Sequence, residues 1–258
     1  MSMIVMTYNL RIDVEADGNN AWPLRFQEAA RSIAKASPDI VGTQELNASM
    51  LRDLEGLLPE YAWIGEGRLG GGEGEFNAIG YRRDRWTAED SGTFGLSETP
   101  ETLGAISWDS NCPRICTWAR LRGTRGSERL VFNTHLDHMS EEARREGMRL
   151  IVERMTEARR IRPLPTLLTG DFNCEPDAPP HKGLTDAGFV DAYSVWPGED
   201  GPGRTYHAFQ GGKSGKPIDY IYVTPDLRIR SVALDRTMYE GRYPSDHYAV
   251  TVELEERE

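Results

Sequence analysis

The chain has 258 residues, 38% of them hydrophobic and 28% charged, and a formal net charge of −11. That balance is ordinary for a globular protein, and no apolar run approaches the roughly 18 residues needed to span a membrane. The acidic excess argues against non-specific binding of long nucleic acid, which needs a basic stripe to displace counterions.

The N-terminal stretch MSMIVMTYNL lacks a basic n-region and a small-residue cleavage site, so it reads as a first strand over residues 3–8 and not as a signal peptide. Phe26, Ala29, Ala30 and Ile33 then share one face of a helix that Pro38 closes. A strand over 40–43 and a shorter helix over 47–58 follow. RLGGGEG, residues 68–74, reads as a flexible loop. β-Branched and aromatic runs predict strands over 76–81, 115–121 and 130–134. In the next helix Ser140 is the cap, Glu141 and Glu142 suit the positive end of the dipole, and Met148, Ile151, Met155 and Ala158 form a core-facing stripe. A strand over 166–169, Gly/Pro-rich loops over 197–203 and 210–217, and strands over 218–223 and 248–252 complete the chain. Many strands and few helices predict two packed sheets with helices outside. No tract resembles a linker, so residues 1–258 read as one domain. The odd, small set of Cys112, Cys116 and Cys174 argues against a disulfide framework and fits a reducing, cytoplasmic setting.

Polar residues gather where the apolar runs stop or start. Asn9 follows IVMTY, and Gln44 and Glu45 follow DIVGT. Asn133, His135, Asp137 and His138 follow LVF, Asp171 and Asn173 follow PTLLTG, and Asp246 and His247 precede YAVTV. Loops at strand ends on a rigid scaffold are where sites are built. Hard cations such as Mg²⁺ and Mn²⁺ take oxygen ligands, here Glu45, Asp171, Asp246 and the amide oxygens of Asn9 and Asn173. Phosphoryl transfer needs a cation, an oriented water and a donor that stabilises charge. Asp219, inside PIDYIYV, is flanked by apolar residues and needs a partner. His247 is the natural one, because a carboxylate fixes the imidazole tautomer and raises its basicity.

TYNLR at 7–11, TQE at 43–45, NTHLDH at 133–138, TGDFNCEP at 169–176, IDYIYV at 218–223 and PSDH at 244–247 together resemble the endonuclease/exonuclease/phosphatase superfamily, the DNase I-like fold. TQE or SDH alone is a weak signal, whereas GDFN followed by IDYI and then SDH is specific. The resemblance implies an α/β four-layer sandwich of two facing, mixed, mainly antiparallel sheets flanked by helices. It implies Glu45 as principal metal ligand with Asn9 close by. Asp246, adjoined by Asp171, Asn173 and His247, would complete the shell of one or two Mg²⁺ or Mn²⁺ ions. It also implies in-line attack by a water that Asp171 orients or deprotonates with help from Asn173, with His135 on a phosphate oxygen and an Asp219–His247 dyad at the scissile phosphate. Apurinic-endonuclease-like members carry an acid two residues after the first Asn. Arg11 stands there in this chain, against an abasic-site role.

Other residues are open to two readings. Arg114 can hold a phosphate or form an ordinary ion pair, and His207, between two loops, can meet substrate or serve the structure. His138, with Asp137, reads as substrate-side. Glu75 and Asn77 can reach the cleft, and Trp22 and Trp108 can stack on a ring or pack. Cys174 is an outside candidate nucleophile. The expected function is a metal-dependent phosphodiesterase or phosphomonoesterase. A small phosphoester, a nucleotide or a nucleic-acid end is its expected substrate, with no membrane and no protein partner implied. The alternatives are a DNA or RNA nuclease, a sphingomyelinase-like lipid phosphodiesterase, and a binding protein that kept the fold without activity.

Overall fold

Parallel strands need a long crossover between them, whereas antiparallel strands can be joined by short turns. One parallel pair sits at the centre of each sheet and organises the rest. The computed structural model describes residues 2–257. In chain order the regular elements are β1 (Ser2–Asn9), α1 (Phe26–Ala36), β2 (Ile40–Gln44), α2 (Ala48–Leu57), β3 (Tyr61–Ile64), β4 (Ile79–Arg82), β5 (Trp86–Gly95), β6 (Ile115–Gly123), β7 (Glu128–His135), α3 (Glu141–Ile161), β8 (Thr166–Asp171), α4 (Pro179–Asp186), β9 (Val190–Asp191), β10 (Asp219–Val223), β11 (Leu227–Asp235) and β12 (Ala249–Glu256). The first six-stranded sheet has the order β11-β12-β1-β2-β4-β3 and the second β5-β6-β7-β8-β10-β9. β1 runs parallel to β2 across the α1 crossover, and β7 parallel to β8 across α3. The other pairings within the sheets are antiparallel. The expected four-layer sandwich is the fold observed.

Alternation along each central strand divides its side chains between two layers. Val5, Ile40, Val131, Leu167, Ile221, Val250 and Val252 fill the space between the sheets. Met6, Tyr8 and Val41 pack outward against α1 and α2, and Phe132 and Leu168 against α3 and α4. Caps set the helix limits. The Asn47 side chain accepts from the N–H groups of Ser49 and Met50 at the start of α2, and Ser140 accepts from Ala143 N at the start of α3. Residues 68–74, expected to be a flexible loop, instead turn back on themselves: Arg68 N donates to Glu75 O and Leu69 N to Glu73 O.

Near one end of the sandwich the apolar interior gives way to a buried polar rung that joins the sheets. Asn133 of β7 donates through Nδ2 to Thr43 O (2.8 Å) and Ala78 O (3.0 Å) of the opposite sheet. Its Oδ1 accepts from Gln44 Nε2 (2.7 Å) and Thr169 Oγ1 (3.0 Å), and Gln44 Nε2 also reaches Thr7 Oγ1. Asn77 makes a second link, donating to Ile115 O at 2.8 Å. The sheets approach so closely here that a Cβ on Gly42 would lie 2.1 Å from Thr169 Oγ1. Asn133→Ala removes one donor from each of two buried carbonyls and an acceptor from the Gln44 amide and the Thr169 hydroxyl, and is expected to cost about 2–3 kcal/mol. Gly42→Ala is expected to force the rung apart. Both effects are read from the urea midpoint, and a midpoint unchanged in both variants would contradict this role.

His181 of α4 is 5% exposed. It is bonded through Nδ1 to Tyr222 Oη at 2.8 Å and packed edge-on against Tyr220. Burial pulls its pKa down from 6.5 to about 4. Below pH 6.5 the unfolded chain therefore binds a proton that the folded chain refuses, so stability falls on acidification between 6.5 and 4. The loss attributable to His181 at pH 5 is about 2 kcal/mol. Comparing urea midpoints at pH 7 and pH 5 in the parent and in His181→Asn checks it: the pH-dependent loss should shrink in the variant.

Candidate active site

The parallel centres carry the ends of β1, β2, β7 and β8 to the same edge of the sandwich. Asn9 ends β1, Glu45 follows β2, and His135 and Asp171 end β7 and β8. β10 is antiparallel to β8, so its first residue, Asp219, lies opposite Asp171. β12 is antiparallel to β1, so the residues just before it, Asp246 and His247, reach the same edge. Three cleft residues hold positive φ without being glycine: Arg11 (52°), Glu45 (61°) and Asn173 (49°). Backbone strain of this kind, on the order of 1–3 kcal/mol each, clusters at functional sites.

Asp171 is the hub. Its Oδ1 accepts from Asn173 N (2.8 Å) and its Oδ2 from Asn9 Nδ2 (2.9 Å). His135 Nε2 and His247 Nε2 stand 3.6 and 3.8 Å from that same Oδ2. Burial, then the negative charge of Asp219, pushes the Asp171 carboxyl up to about 7. His247 Nδ1 is 2.9 Å from Asp219 Oδ2. Burial opposes charge on that imidazole, but the Asp219 carboxylate and the hydrogen bond to it outweigh burial and raise the pKa to about 10. His135 goes the other way: burial, with Arg114 nearby, holds it far below the usual histidine range. Its Nε2 faces Asn173 Nδ2 at 2.9 Å.

Glu45 is clasped by Asn9 Nδ2 at Oε1 (2.9 Å) and by Ile12 N at Oε2 (3.0 Å). Asn9 thus turns its amide nitrogen to the acids and gives its oxygen to Arg11 N, so ligation through that oxygen would require the amide to flip. Arg11 is held by both oxygens of Asp17. Its guanidinium stands 4.0 Å from Glu45 Oε2 and 3.9 Å from Asp246 Oδ2.

Arg11, Glu45, His135, Asp171, Asn173, Asp246 and His247 line a cleft of about 380 Å³ together with Arg68, Glu75, Asn111, Cys112, Arg114, His138 and Tyr206, and Asn9 and Asp219 stand behind them. Arg114 is buried and directs Nη2 to His138 Nδ1 at 2.9 Å, with Asp137 3.6 Å from its Nε. Asp137 accepts from Ser110 Oγ and from the N–H groups of Asn111, Met139 and Ser140. It thereby ties the 110–114 segment to the start of α3. The expectation that His207 meets substrate is corrected, and the two readings of Trp22, Asn77 and Cys174 are decided. His207 is absent from the cleft: it is 1% exposed and stacked on Tyr248 with centroids 4.0 Å apart, and its neighbour Tyr206 lines the cleft instead. Trp22 is a core residue bonded to Asp53, and Asn77 is an inter-sheet link. The Cys174 thiol is buried and pushed up to about 12, unsuited to nucleophilic attack. Arg68, Asn111 and Tyr206 were missed, because they sit in irregular segments whose sequence carries no periodic signal.

Arg25 has no carboxylate partner among the described residues and is fully buried. It donates to the carbonyls of Leu10 (2.6 Å), Arg11 (2.5 Å), Asn20 (2.6 Å) and Pro244 (2.9 Å), so one guanidinium ties the loop after β1 to the loop before β12. Burial lowers its pKa to about 10, which leaves it charged at neutral pH.

Residues 6–247 match the family described as the endonuclease/exonuclease/phosphatase family. Among solved structures, an endonuclease/exonuclease/phosphatase family protein from Bacteroides thetaiotaomicron superposes with a TM-score of 0.92 at 33% identity, over 98% of this chain and 97% of that one. A protein of the same organism named mannosyl-6-phosphatase gives 0.92 and 33%, over 98% and 99%. The human Nocturnin catalytic domain, at 19% identity and a TM-score of 0.79 over 99% and 95%, shares the fold. Among curated proteins, no sequence matches.

Arg25→Met leaves four carbonyls without their donor and is expected to cost on the order of 3 kcal/mol. Hydrogen exchange should accelerate at residues 10–12 and 244–247 before it does in the central strands. Uniform exchange across the chain would contradict the tie.

Proposed function

Because this chain belongs to the endonuclease/exonuclease/phosphatase family, a class of phosphoesterases and nucleases, we propose that it hydrolyses a small phosphoester, a phosphomonoester in particular, with a divalent cation and an activated water. The observation that carries this reading is the place of Asp171 Oδ2, in one cleft with the imidazoles of His135 and His247 and the carboxylates of Glu45 and Asp246. The modest cleft and the net charge of −11 favour a small substrate over a long polyanion. The Bacteroides relative named mannosyl-6-phosphatase supports a monoester.

The donor set fits Mg²⁺ or Mn²⁺, since carboxylate oxygens face the cleft and a positive group, Arg11, is already drawn to within 4.0 Å of both Glu45 and Asp246. Glu45 and Asp246 would hold the ion, beside Asn9. Asp171, Asp219 and His247 also bring ligand atoms within 4.8 Å of one another, with Asp219 Oδ2 and His247 Nδ1 already bonded to each other. When bound, such a cation supplies neutralisation of the charge that grows on the phosphoryl oxygens.

Asp171, with its carboxyl near pH 7, takes the proton of the attacking water. The water oxygen bonds to phosphorus as the ester oxygen opposite departs. His247, an imidazolium at neutral pH, directs Nε2–H at a phosphoryl oxygen, and Asp219 behind it fixes the ring. Asn173 supports Asp171 through its backbone N–H and meets His135 through its side chain. Chelation should abolish turnover of phosphomonoesters and Mn²⁺ should restore it. Asp171→Asn and His247→Ala should each lower kcat by about a hundred- to ten-thousand-fold. Turnover that persists in chelator, or is unmoved in both variants, ends this reading.

A further inference from the structure

The cleft that holds Glu45, Asp171, Asp246 and His247 is also lined by Arg68, Glu75, Asn111, Arg114 and Tyr206, whose ring lies against His247 at 5.1 Å between centroids. Arg68 and Arg114 each already have a carboxylate. Arg68 Nη2 is 2.8 Å from Glu75 Oε1, both side chains are about one-fifth exposed, and Arg114 has Asp137. The pair is held from behind as well, because Arg68 N donates to Glu75 O and Arg68 Nη1 meets Cys112 Sγ at 3.3 Å.

Resting on the phosphoesterase reading above, we propose that the group released from phosphate is a polyhydroxylated alcohol, a sugar or polyol, and that the Arg68–Glu75 pair reads its free hydroxyls. A neutralised guanidinium–carboxylate pair offers fixed donors beside fixed acceptors. A hydroxyl both donates and accepts, so neighbouring hydroxyls satisfy such an array without adding charge. A second phosphate on the substrate would have to compete with Glu75 for the Arg68 guanidinium. A plain alkyl or aryl group would cover the pair and strip it of water with nothing in return.

The test is steady-state kinetics with Mn²⁺ on a hexose 6-phosphate, p-nitrophenyl phosphate and adenosine 5′-monophosphate, in the parent and in Glu75→Gln and Arg68→Lys. Circular dichroism and thermal midpoints establish that both variants fold. The parent should favour the hexose ester at least tenfold in kcat/KM over both others. The two conservative variants should shrink that ratio about tenfold, through KM for the hexose ester. Hydrolysis of the esters with no hexose preference, with adenosine monophosphate favoured, or with a ratio unmoved in both variants overturns this inference and leaves the phosphoesterase reading standing. No hydrolysis of any ester with any divalent metal overturns both.

Discussion

The polar rung around Asn133 is the interaction on which the rest depends. Asn133, Thr169, Thr7 and Gln44 are all fully buried, and they join the sheets where aliphatic packing ends. In a strand, residues two apart point the same way. Two residues beyond Thr7 is Asn9, two beyond Asn133 is His135, and two beyond Thr169 is Asp171. The candidate catalytic groups are thus the next step of the same inward-facing ladder, and their spacing is inherited from a network that fixes sheet separation. Gly42 belongs to this constraint, since any side chain there would hold the sheets apart.

Placing Glu45, Asp171, Asp219 and Asp246 together is electrostatically costly, and the fold offsets it with cations of different kinds. Arg11 stands beside Glu45 and Asp246, His247 beside Asp219 and Asp171. Arg25 serves by geometry, spending its donors on carbonyls and holding together the loop that follows Asn9 and the loop that carries Asp246. Burial and like charge separate the titration of neighbours, so that one carboxyl rises toward neutrality while an imidazole becomes a firm cation. A set of acids and bases drawn apart in this way is what proton transfer in a cleft requires.

The strands that sequence pattern recovers and those it misses are divided by position. β1, β2, β4, β6, β7, β8, β10 and β12 are the interior strands, hydrogen-bonded to a neighbour on each side, and each shows as a β-branched or aromatic run. β3, β5, β9 and β11 are the four sheet edges, and none was expected. WTAEDSGTFG of β5 and LRIRSVALD of β11 carry charges and a register shift, the features by which edges avoid further pairing. An edge strand looks polar and irregular for the same reason that it is safe at an edge.

The sequence by itself determined the family, the interior strands, the long helices with their caps, and the polar residues at strand ends. Each of these is local, written in periodicity or in a short motif. Only the tertiary structure decided which of those polar residues share a cleft. His135 and Asp171 meet because β7 and β8 are parallel, and Asp219 and His247 join them because β10 and β12 run antiparallel to the central strands. It also decided that Tyr206 lines the cleft while His207 is buried, and that Arg68 and Glu75 pair within it. Loop side chains are oriented by what packs behind them, and that packing partner lies far away in the chain.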